Sequence, residues 1–237
     1  MTLIDLKLSK MLLNNYKGVM NKMLILSKPT ATKDQVMQFI KNTRTAHSLC
    51  YAIVPMIYDE AIKVGINPVV AVAQALKETG YFNYKGVLRP NFCNICGLKG
   101  SYGGGDYDPN AHKRFEYWED GVKAFIDHLA LYCGVKGYPK YSKETELYYN
   151  GKGTFYDVNK YKKNGTTLDP RHFTYLLGTV KTVEDLSGKW CPSKTYGEDI
   201  IAIVRKIEGT KVSEDSKVNK EKILNLVKEI ISEIEGK

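Results

Sequence analysis

Glu78 is the residue whose type and position first suggest chemistry. The stretch 67–82 places this carboxylate in the last turn of a predicted helix, directly before the aromatic residues Tyr81 and Phe82. The negative end of the helix dipole and desolvation by the two rings both disfavour a charged carboxylate, so both raise its pKa. Such a group can hold a proton near neutral pH and give it to a leaving group. The alternative is a solvated surface glutamate.

The helix that carries Glu78 has a clear beginning and end in the sequence. Asn67 is a good N-cap, Pro68 suits the first helical position, and Gly80 can turn left-handed just past the last turn. Gln74 lies four residues before Glu78 and so shares its face. Apolar residues at i, i+3, i+4 and i+7 predict the buried stripe: Val69, Val72, Ala73 and Leu76.

The strong signals before this helix are also helical. Thr32 opens a capping box for a helix through Ile40, and a second helix is predicted from about His47 to Val64, with Pro55 as a kink. Further helices are predicted from Glu119, from Asp169-Pro170, briefly at 183–186, and from Thr195.

Two regions carry loop chemistry instead. From 86 to 115 the chain is rich in Gly, Asn, Asp and aromatics, which predicts loops or short hairpins. From 137 to 165 tyrosine and lysine dominate without an aliphatic pattern, so we expect loops that stack on sugars or cover a core.

Several motifs, in order, resemble one family. Residues 74–80 (Gln-Ala-Leu-Lys-Glu-Thr-Gly) resemble the Gln-Ala-x-x-Glu-[Ser/Thr]-Gly signature of bacterial and phage peptidoglycan endo-β-N-acetylglucosaminidases, glycoside hydrolase family seventy-three, of the clostridial and phage-endolysin type. Residues 94–99 are similar to its Asn-Leu-Phe-Gly-Ile-Lys loop, with Cys96 where phenylalanine is usual. The resemblance extends from Thr32 to Glu208 through further motifs at 121–124, 127–129, 169–173, 189–190 and 195–197.

The resemblance implies a fold and a reaction. The fold would be mainly α, a lysozyme-like α+β architecture with a small irregular or β lobe beside the active-site cleft. The reaction would be hydrolysis of the β-1,4 bond between N-acetylglucosamine and N-acetylmuramic acid, with Glu78 protonating the leaving oxygen. The second catalytic group would be a carboxylate, for which Asp106 and Asp108 are candidates and Glu116 a weaker one, or the substrate's own acetamido group.

The resemblance also implies a set of sugar-binding residues and no metal or organic cofactor. Trp190 stands where many relatives carry a tyrosine, and core packing is the alternative role for Trp190 and Phe92. The residues expected around the sugar are Gln74, Tyr81, Phe92, Asn94, Tyr102, Trp190 and Tyr196.

Other activities remain open on the same fold. A muramidase or lytic transglycosylase would also use one glutamate at a helix end, although the Gly-Leu-Met-Gln type of segment expected of a transglycosylase is missing. A non-catalytic wall-binding phage module is the alternative from another class, since fold alone does not settle activity.

Composition suggests where the protein acts. The 237 residues, with 43% hydrophobic and 26% charged, contain no apolar run near the roughly twenty residues of a membrane span, and no signal peptide is evident. We therefore expect a phage endolysin or tail-associated lysin, made in the cytoplasm and acting at the bacterial cell wall after release by a holin or delivery in a virion. A net charge of +9 favours the anionic wall, and no nucleic-acid-binding signature is present.

The domain plan has three parts. We predict an N-terminal helical extension at 1–30, a catalytic domain at 31–209, and a linker with an amphipathic helix at 210–237. The apolar stripe of that last helix would dock on the domain or form a homo-oligomer; it consists of Ile223, Val227, Ile230 and Ile234. Five cysteines do not suggest a disulfide framework, and Cys93 and Cys96, without a second pair, are expected to be metal-free and buried.

Overall fold

The computed structural model describes residues 22–213, together with 225 and 228. This part of the chain is mostly helical, which confirms the mainly α prediction. Its seven α-helices are α1 (Lys33–Asn42), α2 (Cys50–Lys63), α3 (Pro68–Thr79), α4 (Trp118–Cys133), α5 (Lys143–Gly151), α6 (Val158–Lys162) and α7 (Tyr196–Glu208). Short 3-10 turns lie at Pro90–Phe92, Pro109–Ala111, Thr174–Leu176 and Glu184–Leu186. None of the helices in the described ranges has the length and apolar character needed to span a bilayer.

Helix α3 runs through the centre of the core between α2 and α7. Its predicted caps are confirmed: the Asn67 side chain accepts a hydrogen bond from the Val69 amide at 3.0 Å, and Gly80 is left-handed with φ 57°. The predicted four-residue stripe was too narrow, however, because every residue from Pro68 to Leu76 is buried. Two neighbouring helices cover faces that an ordinary surface helix would leave in water.

Helix α1 packs against α2 and α7, and α2 packs against α3 and α4. The predicted capping box is present, because Thr32 accepts from the Gln35 amide and the Gln35 side chain accepts from the Thr32 amide. Helix α2 starts at Cys50, three residues later than predicted, and contains Pro55.

The segment before α1 differs from the predicted helical extension. Residues 22–30 contain bends and no helix, and Leu24 and Leu26 form isolated antiparallel bridges to Thr182 and Ile66. Ile25 between them is completely buried, so this segment belongs to the core. The rest of the predicted extension, 1–21, and the apolar stripe of the predicted C-terminal helix lie outside the described residues.

A small irregular lobe occupies 86–115, as expected. It contains two of the 3-10 turns and an antiparallel bridge between Lys99 and His112. Helix α4 approaches the lobe closely at Gly121, where an added Cβ would lie 1.8 Å from the carbonyl oxygen of Cys93. Only glycine permits this contact between backbones.

Two predictions for the second half of the chain were wrong. The tyrosine-rich region was predicted to form loops, but it forms α5 and α6, which are capped by Ser142 and Asp157. Its aromatic rings pack on one another and on Phe173, so these helices carry no aliphatic stripe. Asp169-Pro170 does not open a helix; a turn and the 3-10 turn Thr174–Leu176 follow. Asp169 is instead completely buried.

Candidate active site

Glu78 lies in the last turn of α3, where two aromatic side chains donate hydrogen bonds to the same carboxylate oxygen. Oε1 accepts from the Tyr196 hydroxyl and, at 3.1 Å, from the Trp190 indole N–H. Burial raises the pKa of Glu78, and the two hydrogen bonds and the charge of Lys77 oppose this effect only in part. The carboxyl group therefore holds its proton to a higher pH than an ordinary glutamate.

Tyr196 is positioned by Gln74, one turn before Glu78 on α3. Gln74 is fully buried, and its Nε2 donates to the Tyr196 hydroxyl at 3.1 Å. Burial, followed by the negative charge of Glu78, raises the pKa of Tyr196 well above its ordinary value, so the phenol stays neutral and donates to Glu78. The structure thus brings Gln74 and Tyr196 together and joins Tyr196 to Glu78, whereas contact of either residue with a sugar stays a prediction.

Trp190 reaches Glu78 from a turn closed by a bridge between Ser187 and Cys191. Its ring packs edge-on against Phe125, at 6.0 Å between centroids, and against His128, at 5.0 Å. The indole is thereby fixed with its N–H directed at Glu78. Trp190 thus packs in the core and also donates to the candidate acid, whereas its predicted contact with the sugar stays a prediction.

A buried His-Asp-His cluster supports this arrangement, and the sequence analysis did not identify it. Asp169 Oδ2 accepts from the Nδ1 atoms of both His128 and His172, each at 2.8 Å. Burial opposes ionisation of Asp169, but the two histidines outweigh it and hold the pKa of the carboxyl group well below its ordinary value. The sequence analysis noted the motifs at 127–129 and 169–173, which contain these three residues, but assigned them no role.

Glu78 lies where two arms of an open groove meet. The first arm has a volume of about 1090 Å³ and the second about 480 Å³. Four residues line both arms: Glu78, Gly97, Asp106 and His112. A groove open on both sides of one carboxyl group can accommodate an extended polymer with its reacting bond at the junction.

Asp106 is the candidate second carboxylate that the structure brings into the groove. It is exposed, and the hydrogen bond that its carboxylate accepts from Lys99, together with the charge of Lys99, lowers the pKa of Asp106. Asp108 instead caps the 3-10 turn by accepting from the Asn110 amide at 2.8 Å, and neither it nor the exposed Glu116 lines either arm.

Phe92 and Asn94 occupy different surroundings within the lobe. Phe92 lines the first arm but is only 2% exposed. Asn94 is fully buried and donates to the carbonyl oxygens of Leu98 and Lys113, at 2.8 and 2.9 Å. Asn94 therefore holds the lobe together and is not placed to touch a ligand.

Two further predicted sugar-binding residues are not brought to the groove. Tyr81 packs against Phe39 with 6.4 Å between ring centroids, on the side of α1. Tyr102 is exposed and packs edge-on against Tyr148 of α5. Neither residue lines the first or the second arm. Both predictions relied on proximity in sequence to Glu78 or to the lobe, which does not determine where a ring points.

Gly97 is a groove residue to which the sequence analysis gave no role. It has φ 71°, and a Cβ there would lie 3.9 Å from Glu78 Oε2. Oε2 is the oxygen that the aromatic donors leave free. The glycine of the 94–99 motif thus keeps space beside that oxygen.

Cys93 and Cys96 are both buried free thiols, as expected from their apolar surroundings. Burial raises the pKa of each thiol, and for Cys96 the rise is large. Cys96 belongs to the hydrophobic core and also lines the second arm of the groove.

The family model for glucosaminidase, described as mannosyl-glycoprotein endo-beta-N-acetylglucosaminidase, matches residues 54–209. A protein of Borreliella burgdorferi described as uncharacterized is 25% identical over 146 residues, which is 62% of this chain and 57% of that protein. The chain thus spans a little over half the length of this relative. No solved structure matches significantly. The span matched by the family includes Glu78, Trp190 and Tyr196 and most of the chain, which therefore belongs to the glucosaminidase family of glycoside hydrolases.

Proposed function

We propose that the protein hydrolyses peptidoglycan as an endo-β-N-acetylglucosaminidase. The bond cleaved is the β-1,4 bond on the reducing side of N-acetylglucosamine, next to N-acetylmuramic acid. The observation that carries the proposal is the position of Glu78, a carboxyl group with a raised pKa at the junction of an open groove, in a chain of this family.

Glu78 acts as the general acid through Oε2. Because Oε1 already accepts from Tyr196 and Trp190, we assign the transferable proton to Oε2, on the side of Gly97. The proton passes to the glycosidic oxygen while the bond from that oxygen to the sugar carbon breaks and the ring acquires oxocarbenium character. As Glu78 becomes charged, the two aromatic hydrogen bonds strengthen and stabilise the developing carboxylate.

Asp106 is our candidate for the second group. Its pKa is lowered by Lys99, whereas burial raises that of Glu78, so the two carboxyl groups that line the groove favour opposite protonation states. Such a divergence is typical of an acid and its ionised partner. An ionised Asp106 would activate water or stabilise the positive charge of the sugar. The substrate's acetamido group is the alternative for the same role.

The biological setting that we propose is the bacterial cell wall, where a phage endolysin or tail-associated lysin would act. The resemblance of the motifs to phage-endolysin members supports this, and the net charge of +9 favours attachment to anionic wall polymers.

Digestion of purified peptidoglycan tests the proposal. Glu78→Gln keeps the size of the side chain but removes the proton, so turnover should fall by roughly a hundredfold or more in a folded protein. Glu198→Gln, at an exposed position in the first turn of α7, is the matched control and should retain activity.

Mass spectrometry of the products separates the activities. New N-acetylglucosamine reducing ends are expected from the native protein. Reducing ends of N-acetylmuramic acid would mean a muramidase, and anhydro-muramic ends a lytic transglycosylase. Binding without any cleavage would leave a non-catalytic wall-binding module.

A further inference from the structure

The first arm of the groove is positively charged, and its basic side chains differ in whether they have hydrogen-bond partners within the protein. Lys85, Arg89 and Arg114 line it. Arg89 donates to two nearby carbonyl oxygens, and in the second arm Arg171 donates to a carbonyl oxygen at 3.3 Å. By contrast, the guanidinium group of Arg114 forms no hydrogen bond or ion pair with any residue of 22–213.

Arg114 is nevertheless held in place. Its guanidinium carbon lies 3.6 Å above the centre of the buried Phe92 ring. The backbone on either side is fixed as well, because the Lys113 amide donates to Leu98 at 2.8 Å and the Phe115 amide donates to Phe92 at 2.9 Å. Stacking covers the face of a guanidinium group but leaves the N–H groups on its edge free to donate.

The acidic residues of the same arm do not compete for this charge. Only Glu78 and Asp106 are acidic among the residues that line it. Burial favours the protonated form of Glu78, and Asp106 already forms an ion pair with Lys99. Arg114 is preorganised and has no carboxylate partner among the described residues, and the exposed Lys85 lines the same arm. Such an arginine is suited to a planar anion supplied by a ligand.

We propose that Arg114, stacked on Phe92, forms a carboxylate-binding subsite for the substrate strand. This inference rests on the proposed function and names what the first arm recognises. Every second sugar of peptidoglycan carries a lactyl group, which either ends in a free carboxylate or continues into a stem peptide with carboxylates of its own. Arg114 binds one of these carboxylates through two N–H groups and so selects peptidoglycan over uncharged glycans.

Three substrates with one glycan backbone test the subsite. They are peptidoglycan freed of other wall polymers, the same strands stripped of peptides by an amidase, and peptidoglycan whose carboxylates are capped as methylamides. The variants are Arg114→Gln and, as the matched control, Arg44→Gln, because Arg44 is exposed and lines neither arm. The measurement is kcat/KM from the release of reducing ends.

We expect Arg114→Gln to lower kcat/KM about tenfold on uncapped peptidoglycan, because the exposed Arg114 loses a charge-assisted hydrogen bond to the substrate. Capping the carboxylates should lower kcat/KM of the native protein to a similar value, so that native protein and variant no longer differ. A loss on peptide-bearing strands alone identifies the stem peptide as the source of the carboxylate. A loss on stripped strands alone identifies the lactyl group, whose carboxylate is free only after the peptide has been removed, and a loss on both shows that Arg114 binds either carboxylate. Equal activity of native and variant protein on uncapped strands, or an equal loss on capped strands, would overturn the subsite.

Binding separates this inference from the proposed reaction. In the Glu78→Gln background, Arg114→Gln should weaken co-sedimentation with insoluble peptidoglycan but not with capped peptidoglycan. This comparison stands even if the native protein releases no N-acetylglucosamine ends, a result that would refute the reaction alone. Unchanged co-sedimentation would refute the subsite alone.

Discussion

Replacing Tyr196 with phenylalanine removes one of the two hydrogen bonds that Glu78 Oε1 accepts while keeping the ring in the core. Burial raises the pKa of Glu78, and the Tyr196 hydroxyl is the first of the groups that oppose this rise. Without the hydroxyl the pKa of Glu78 should therefore be higher still. A general acid works while it is protonated, so the basic limb of the pH-rate profile should move to higher pH.

The magnitude follows from the kind of hydrogen bond that is lost. A hydrogen bond to a charged group contributes about 1.5–3 kcal/mol, and 1.36 kcal/mol corresponds to one pH unit. The basic limb should therefore move by roughly one to two pH units. The plateau rate should fall by about tenfold or more, because the carboxylate formed in the transition state loses the same hydrogen bond.

The assay is the pH dependence of kcat/KM on purified peptidoglycan, with circular dichroism as the check on folding. Trp190→Phe removes the other donor and should move the basic limb in the same direction. Gln74 loses the acceptor of its Nε2 in Tyr196→Phe, so some stability, about 1–3 kcal/mol, should be lost as well. A folded Tyr196→Phe protein whose basic limb stays in place or moves to lower pH would refute the reasoning.

Three further predictions concern the second group, the buried cluster and the lobe. Asp106→Asn should lower turnover by about a hundredfold and Asp108→Asn very little; near-native turnover of Asp106→Asn would assign the second role to the acetamido group. Asp169→Asn should lower the free energy of unfolding in urea by about 3–5 kcal/mol at neutral pH. The pKa of Asp169 is lower in the folded than in the unfolded protein, so its contribution to stability is complete above the ordinary pKa and is lost as the pH falls through the folded pKa. The difference in unfolding free energy between native protein and variant should therefore shrink in acid. A difference that does not change with pH would contradict this. Gly121→Ala should destabilise by about 1–3 kcal/mol because of backbone overlap, whereas Gly86→Ala, with open space around its Cβ, should not; equal melting temperatures would count against the close approach.

Helix α3 was predictable because its signals are local. The cap, the proline at the first position and the terminal glycine lie within fourteen residues in the sequence and each acts on its own backbone. The predicted helix at Asp169-Pro170 failed for the opposite reason. The same dipeptide that can open a helix is held here by His128, a residue 41 positions away, and tertiary contacts override local preference.

The candidate site was predictable only in part. Trp190 and Tyr196 meet Glu78 from 112 and 118 positions away, and only the resemblance of ordered motifs pointed to them. Periodicity also missed α5, because its buried contacts are made by aromatic rings on short loops and helices rather than by an aliphatic stripe. Arg114 carries no motif, and its pairing with Phe92 depends on the shape of the lobe.

The burial of α3 on nearly every side also affects how the site moves. A helix enclosed in this way exchanges its amide hydrogens mainly when the whole domain unfolds, so Glu78 stands at the end of one of the least mobile elements of the core. The opposite wall, at 86–115, is made of turns and loops, which tolerate insertions and open at low cost in free energy. Sequence changes in that lobe can therefore alter which glycan strands the groove accepts, while the position of Glu78 stays fixed.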